Sequence, residues 1–361
     1  MKDKIERWVS APVRALTAYH VPDAAGYIKL DAMENPYTWP STLVNEWLER
    51  VRHAQVNRYP DPEARELKRR LRRFLDLPEG ISLLLGNGSD ELIQIMAMAL
   101  SGAGRAILAP EPTFVMYRLI AEVLGFTFIG VPLRASDFAL DVGAMCAAID
   151  RHDPALVFLA SPNNPTGNLF ERLDVEKVIE RAPGLVVIDE AYYPFAGETW
   201  LRDLNRYHNV VVMQTLSKAG LAGLRIGLLA GAAMWLDEFN KVRLPYNINI
   251  LSQETASFIL DHAQFLREQA EQICRDRELL YEQMRSITGL RVWPSRANFL
   301  LFRASVTARA LLERMKQKGV LIKCLHGSHP LLDECLRVTV GTAGENEIFL
   351  NALVAESTLR A

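Results

Sequence analysis

The order of apolar segments predicts an α/β protein, with a mostly parallel central sheet flanked by helices and a smaller α+β domain after it. Three observations carry that reading. Short apolar runs at 81–85, 106–109, 156–160, 185–188, 210–213 and 227–230 read as buried strands. Most are separated by segments of helical spacing, the arrangement that parallel neighbours require. The length, 361 residues of which 49% are hydrophobic, suits one large domain with a smaller companion. Finally, the pattern changes near residue 260.

The elements follow in order. Residues 1–52 precede the first strand and are expected to pack with the small domain and the active site. Residues 53–259 form the expected large domain. A helix beginning near Pro62 carries Lys68, Arg69, Arg70, Arg72 and Arg73. Charge is balanced elsewhere, so these cations read as a solvated helix face rather than a nucleic-acid patch. Crossover helices are expected at 91–100, 113–124 and 175–181. Residues 260–361 form the small domain. It opens with a long helix over 263–286, followed by strands at 290–292, 298–302 and 336–340, with a helix over 307–318.

Composition excludes several classes. A formal net charge of -2 argues against nucleic acid or an anionic membrane as partner. No run of about 18 apolar residues is present, and the first 30 residues lack the apolar core of a secretory signal. Cys146, Cys274, Cys324 and Cys335 are scattered without CxxC spacing, so neither a disulfide framework nor a Cys-rich zinc site is expected. His326 and His329 would give two ligands at most, and no metal site is expected. A cytoplasmic protein is the resulting expectation.

Four segments carry chemistry, each at the C-terminal end of an expected strand, where such folds bind ligands. The run ending Ile188-Asp189-Glu190-Ala191-Tyr192 sets carboxylates there. Thr215-Leu216-Ser217-Lys218 places a lysine beside hydroxyls, suited to a Schiff-base amine, with Arg225 a few residues on as a fixed cation for phosphate. Gly86-Asn87-Gly88-Ser89-Asp90 opens a helix, where free N–H groups and the dipole bind phosphate. Its glycine spacing matches neither GxGxxG nor a P-loop. Ser161-Pro162-Asn163-Asn164-Pro165-Thr166-Gly167 is dense in turn residues, and its asparagines can also present an amide to a ligand. Singly, each is an ordinary loop, cap or turn. Together they meet the needs of pyridoxal phosphate: an amine for the aldehyde, a carboxylate for the ring nitrogen, donors for the phenolate oxygen and amides with an arginine for the phosphate.

With these residues in place, the chain resembles the fold-type I aminotransferases, and within them the histidinol-phosphate aminotransferase family. The resemblance runs from about residue 19 to 342. It includes Met33-Glu34-Asn35-Pro36, Arg58-Tyr59-Pro60-Asp61-Pro62, Pro112-Thr113-Phe114-Val115-Met116-Tyr117 and Cys335-Leu336-Arg337-Val338-Thr339-Val340-Gly341-Thr342 besides the four segments above. It implies that Lys218 carries pyridoxal 5'-phosphate and shuttles the proton, and that Asp189 pairs with the ring nitrogen. Tyr192 and Asn164 would donate to the phenolate oxygen, and Phe114 would stack on the ring. Backbone groups of Gly88, Ser89 and Asp90, with Thr215, Ser217 and Arg225, would hold the phosphate. Tyr59 would reach that phosphate from a neighbouring subunit, which implies a homodimer. Arg337 would bind a substrate carboxylate, with Tyr19, Asn35 and Tyr246 as further substrate-pocket residues. The implied substrates are histidinol phosphate and 2-oxoglutarate.

Two departures stand out. Met33 replaces the asparagine the family often shows, and the 218–225 loop is one residue shorter than in many relatives. Two sister activities share the scaffold: an aromatic amino acid aminotransferase and a threonine-phosphate decarboxylase. A non-catalytic regulator of this fold would need an added DNA-binding domain, for which the chain has no room.

Overall fold

Strands rich in Val, Ile and Leu form the centre of the computed structural model, which describes residues 2–18 and 21–357. The strands are β1 (Ile28–Lys29), β2 (Ile81–Asn87), β3 (Ala106–Glu111), β4 (Thr127–Pro132), β5 (Leu156–Ala160), β6 (Leu185–Asp189), β7 (Val210–Thr215), β8 (Ile226–Ala232), β9 (Arg291–Val292), β10 (Phe299–Arg303), β11 (Val320–Leu321), β12 (Lys323–Cys324) and β13 (Cys335–Thr339). Seven of them make one sheet in the order β2-β8-β7-β6-β5-β3-β4.

Every residue of β5, β6 and β7 is buried, as expected for a parallel sheet covered on both faces. The strand period of two divides their side chains between two cores. Val157, Leu159, Val186, Ile188, Val210 and Val212 enter one. Leu156, Phe158, Leu185, Val187, Val211 and Met213 enter the other. This parity decides which polar residue at each strand end faces which side.

One strand departs from the parallel expectation. β8 runs antiparallel to both β2 and β7. The reason is the connection, since only residues 216–225 join β7 to β8 and a parallel return needs a crossover of a dozen or more residues. The reversal has a functional effect. β2, β3, β5, β6 and β7 end at one edge of the sheet, and β8 begins there, bringing Arg225 to that edge. The edge strand β4, exposed or partly exposed at most positions, escapes the apolar-run criterion.

A second sheet, β12-β13-β10-β9, is antiparallel throughout. The helices Ala308–Gln317 and Ala343–Ser357 share its core through Leu311, Met315, Phe349 and Leu353. The N-terminal segment touches both halves. β1 pairs with β11, and the Thr339 N–H donates to the Leu30 carbonyl at 2.8 Å. The helix Ser41–Val51 lies on the helix Ile250–Asp261, where Trp47 Nε1 donates to Thr255 Oγ1 at 2.8 Å.

The basic helix spans Arg65–Phe74. Four of the five cations named above are engaged within the fold: Lys68 with Glu63, Arg69 with Glu66, Arg70 with Asp261 at 2.9 Å, and Arg72 with the carbonyls of Ile81 and Pro78.

Candidate active site

A cavity of about 220 Å³ opens at the common edge of the central strands. Its wall includes Ser89, Asp90, Phe114, Asn164, Asp189, Tyr192, Thr215, Ser217, Lys218 and Arg225. Residues far apart in sequence meet because their strands end side by side. Ala160 pairs with Asp189, and Asp189 with Met213.

Strand parity sorts neighbours that sequence alone leaves equivalent. Asp189 faces the cavity, while Glu190 turns to the other side of the sheet. There it accepts from Thr199 Oγ1, the Trp200 N–H and Gln214 Nε2 at 2.6–2.8 Å. Of the two asparagines, Asn163 is fully buried and structural, its Nδ2 donating to the Pro112 carbonyl and Thr166 Oγ1. Asn164 lines the cavity and accepts from Arg337 Nη1 at 2.5 Å. Arg337 Nη2 also donates to the Asp31 carbonyl at 3.0 Å.

Lys218 sits on a short turn, Ser217–Leu221, which follows β7 and is kinked at Gly220, whose φ is +99°. Its Nζ donates to the Ala32 carbonyl at 3.3 Å and lies 5.9 Å from the centre of the Tyr192 ring. Enclosure and the nearby Arg337 charge pull its pKa down to about 8. Asp189 is pushed up to about 6 by burial, against the pull of hydrogen bonds from Tyr117 and the Ala191 N–H. Burial raises Tyr192 well above the usual phenol range.

The phosphate corner is built by close backbone approach. Gly88 has φ +85°, and a Cβ there would lie 2.6 Å from Arg225 Nη2. A Cβ on Gly227 would lie 2.6 Å from the Ser89 nitrogen. The two glycines let β8 press Arg225 against the start of the helix Ser89–Ala99, where Arg225 also meets Asp90 at 3.4 Å. Arg225 itself adopts φ +52°, closing the short loop from Lys218 in a tight left-handed turn. Thr215 Oγ1 accepts from the Ser217 N–H at 3.1 Å and holds both hydroxyls at the corner.

A match to the family model described as aminotransferase class I and II covers residues 25–353. The chain belongs to the class I and II aminotransferases. It is 54% identical to histidinol-phosphate aminotransferase 2 of Nitrosococcus oceani over 98% of each chain. It is 49% identical to histidinol-phosphate aminotransferase 2 of Cupriavidus pinatubonensis over 97% of each. The fold superposes with a TM-score of 0.85 on the histidinol-phosphate aminotransferase of Sinorhizobium meliloti crystallised with pyridoxal-5'-phosphate. That pair is 24% identical, with 96% of this chain and 97% of the other covered.

Pyridoxal 5'-phosphate is the cofactor of this aminotransferase, and the cavity fits it. An amine, a buried carboxylate and an anion corner converge there, and Arg225 and the Ser89 N–H come together at that corner only because Gly88 and Gly227 lack a Cβ.

Asn35 and Tyr246, expected in the substrate pocket, stand outside this chain's cavity wall, as does Tyr59, which was expected to reach the neighbouring subunit's site. Asn35 donates from Nδ2 to Gln269 Oε1 at 2.9 Å and accepts from the Tyr37 N–H, outside the cavity wall. Tyr59 and Tyr246 stack on each other, 4.4 Å between centres, away from this chain's cavity and exposed. Tyr19 lies outside the described residues. Met33, which replaces the family's usual asparagine, does line the cavity. Its N–H donates to Thr339 Oγ1, so its backbone is still anchored.

His326 and His329 do not converge. His326 Nδ1 accepts from the Glu334 N–H beside Asp333, and His329 Nδ1 accepts from the Leu331 N–H. The residue that sequence reasoning passed over is Tyr117, which holds Asp189. Its signal was its place at the end of the 112–117 segment of the resemblance, where no role was assigned to it.

Proposed function

We propose that this aminotransferase moves the amine of L-histidinol phosphate to 2-oxoglutarate, giving imidazole-acetol phosphate and L-glutamate, a step of L-histidine biosynthesis. The substrate rests on the near-full-length identity to histidinol-phosphate aminotransferases. The chemistry rests on one observation: Lys218, its amine pulled down to about 8, shares a cavity with the buried Asp189.

The cofactor, when bound, supplies an electron sink for the bond broken at the amine-bearing carbon. The protein does the rest. Lys218 Nζ would hold the cofactor and, released as a free amine, would move the proton from the amine-bearing carbon of the substrate. A pKa near 8 leaves enough free amine at neutral pH for that role. Asp189 keeps the ring nitrogen protonated. Tyr192 and Asn164 donate to the phenolate oxygen, and Phe114 covers one ring face. The backbone N–H groups of Ser89 and Asp90, with Thr215, Ser217 and Arg225 and the backbone freedom of Gly88, would hold the phosphate. Arg337 binds the carboxylate of glutamate and 2-oxoglutarate by paired hydrogen bonds.

The active unit is a homodimer. Tyr59 and Tyr246 stack on a surface that also exposes Val56 and Leu244, each 71% exposed. Such an apolar patch suits an interface. Through it Tyr59 reaches the phosphate of the neighbouring subunit. The large domain spans 53–259 and the small domain 260–361, with residues 1–52 packed on the small domain and the site through β1 and on the large domain through the helix Ser41–Val51. The enzyme is cytoplasmic. The described residues hold no helix long and apolar enough to cross a membrane, and the four cysteines are free.

The test is a half-reaction. Holoenzyme is mixed with histidinol phosphate and no oxo acid, and the visible band of the lysine-bound cofactor is followed. Loss of the band, restored by 2-oxoglutarate, is the expected result. A band that responds to phenylalanine alone, or CO2 released from threonine phosphate, would overturn the substrate.

A further inference from the structure

On the opposite face of β7 lies a second and larger cavity of about 600 Å³. Apolar side chains form most of its wall, among them Phe74, Phe195, Leu201 and Leu266. Two buried polar atoms in that wall have no hydrogen-bond partner among the described residues: Gln214 Oε1, on a residue fully removed from solvent, and the Tyr193 hydroxyl. An unpaired buried acceptor is costly, and a native structure keeps one only for a reason. Gln214 has committed its Nε2 to Glu190, so its Oε1 remains for a donor from outside the chain.

Charge marks one side of the cavity. Arg267, Glu271 and Arg275 follow one another at four-residue spacing along the helix Ala263–Arg285, and all three line the cavity from exposed positions. Among the described residues no ion pair joins them. Arg267 lies over the Phe74 ring, and Arg275 donates to Gln272. A positive, negative, positive stripe over an apolar hollow matches a zwitterion with an apolar side chain. Its carboxylate meets an arginine, its ammonium meets Glu271, and its side chain enters the hollow.

We propose that this cavity binds a free α-amino acid whose ring-bearing side chain ends in an N–H or O–H donor for Gln214 Oε1. Its position makes the occupant an effector. Gln214 directly precedes Thr215 at the phosphate corner, Glu190 directly follows Asp189, and Ala219, next to Lys218, lines the cavity. An occupant that completes the Gln214 hydrogen bonds stiffens the strand ends from behind.

The test is calorimetric titration of the holoenzyme with L-tryptophan and with L-histidine, the visible cofactor band being recorded in parallel. Saturable heat from one or both, with the band unchanged, is expected. The double variant Arg267→Glu/Arg275→Glu, altered only at exposed positions, weakens that binding at least about tenfold, or about 1.4 kcal/mol. Ala270→Phe, which fills the hollow, abolishes it. Both variants keep the wild-type half-reaction in the absence of the amino acid. No saturable heat from either amino acid at millimolar concentration, heat that accompanies loss of the band, or binding unchanged in the double variant would each overturn the proposal. Heat reports binding whatever the substrate proves to be, so failure of the histidinol-phosphate reading leaves this test intact.

Discussion

The Tyr117 hydroxyl donates to Asp189 Oδ2 at 2.5 Å, with Tyr117 fully buried and Asp189 nearly so. The Tyr117 ring is fixed from two sides, stacked on Phe158 at 4.4 Å and edge-on to Phe114 at 5.6 Å. A core aromatic thus orients the carboxylate assigned to the cofactor's ring nitrogen, and its hydrogen bond opposes the rise in pKa that burial imposes on Asp189.

Tyr117→Phe removes that donor and keeps the stacking. The Asp189 pKa then rises further above 6, and the acid limb of kcat/KM moves to higher pH. Loss of a hydrogen bond to a charged group lowers kcat by about tenfold or more at neutral pH. A pH profile of the variant that overlays the wild type would refute the coupling.

Asp189→Asn separates stability from function. The carboxyl titrates near 6 in the fold against an ordinary 3.8, so the unfolded chain ionises first. Its effect is a loss of stability that develops between about pH 4 and 6 and persists above. The apoprotein variant is therefore expected to melt higher than the wild-type apoprotein at pH 8, by up to about 3 kcal/mol. The difference should vanish toward pH 4. Turnover should fall by several kcal/mol of transition-state stabilisation.

Arg337→Gln acts twice. Its charge helps hold Lys218 near 8, so the variant's lysine titrates higher and the apoprotein takes up cofactor more slowly at neutral pH. Removing a buried cation that pairs with substrate also raises KM for 2-oxoglutarate, by about 100-fold. Stopped-flow measurement of the visible band across pH reads the first effect, and steady-state kinetics the second.

Gly88→Ala places a Cβ against Arg225 in a backbone conformation that suits glycine alone. The strain is worth about 1–3 kcal/mol. We expect weakened cofactor affinity, measured by titrating the apoprotein, while far-UV circular dichroism stays native.

Val56→Glu/Leu244→Glu puts charge into the exposed apolar patch beside Tyr59. Light scattering should then report a monomer, with activity lost together with the dimer. A fully active monomer would remove the case for a shared site.

Much of this site was legible in the sequence because each element announces itself locally. Apolar runs mark β5, β6 and β7, and the residues just beyond them must lie at one edge if those strands are parallel. That reasoning selected Asp189, Thr215, Ser217 and Lys218, all of which line the cavity. Phe114 and Asn164, brought in by the family resemblance and the turn-rich segment, line it as well.

Local pattern could not choose between neighbours. Asp189 and Glu190, or Asn163 and Asn164, are equivalent until register assigns each side chain to a face, and register is a property of the paired strands. The Tyr117–Asp189 contact and the Tyr59–Tyr246 stack likewise join residues far apart in sequence. By itself, the sequence determined which residue types arrive at the sheet edge and the chemistry they can perform. Tertiary packing alone decided which of them face the cavity, because strand pairing and side-chain burial are settled only when the separate elements meet.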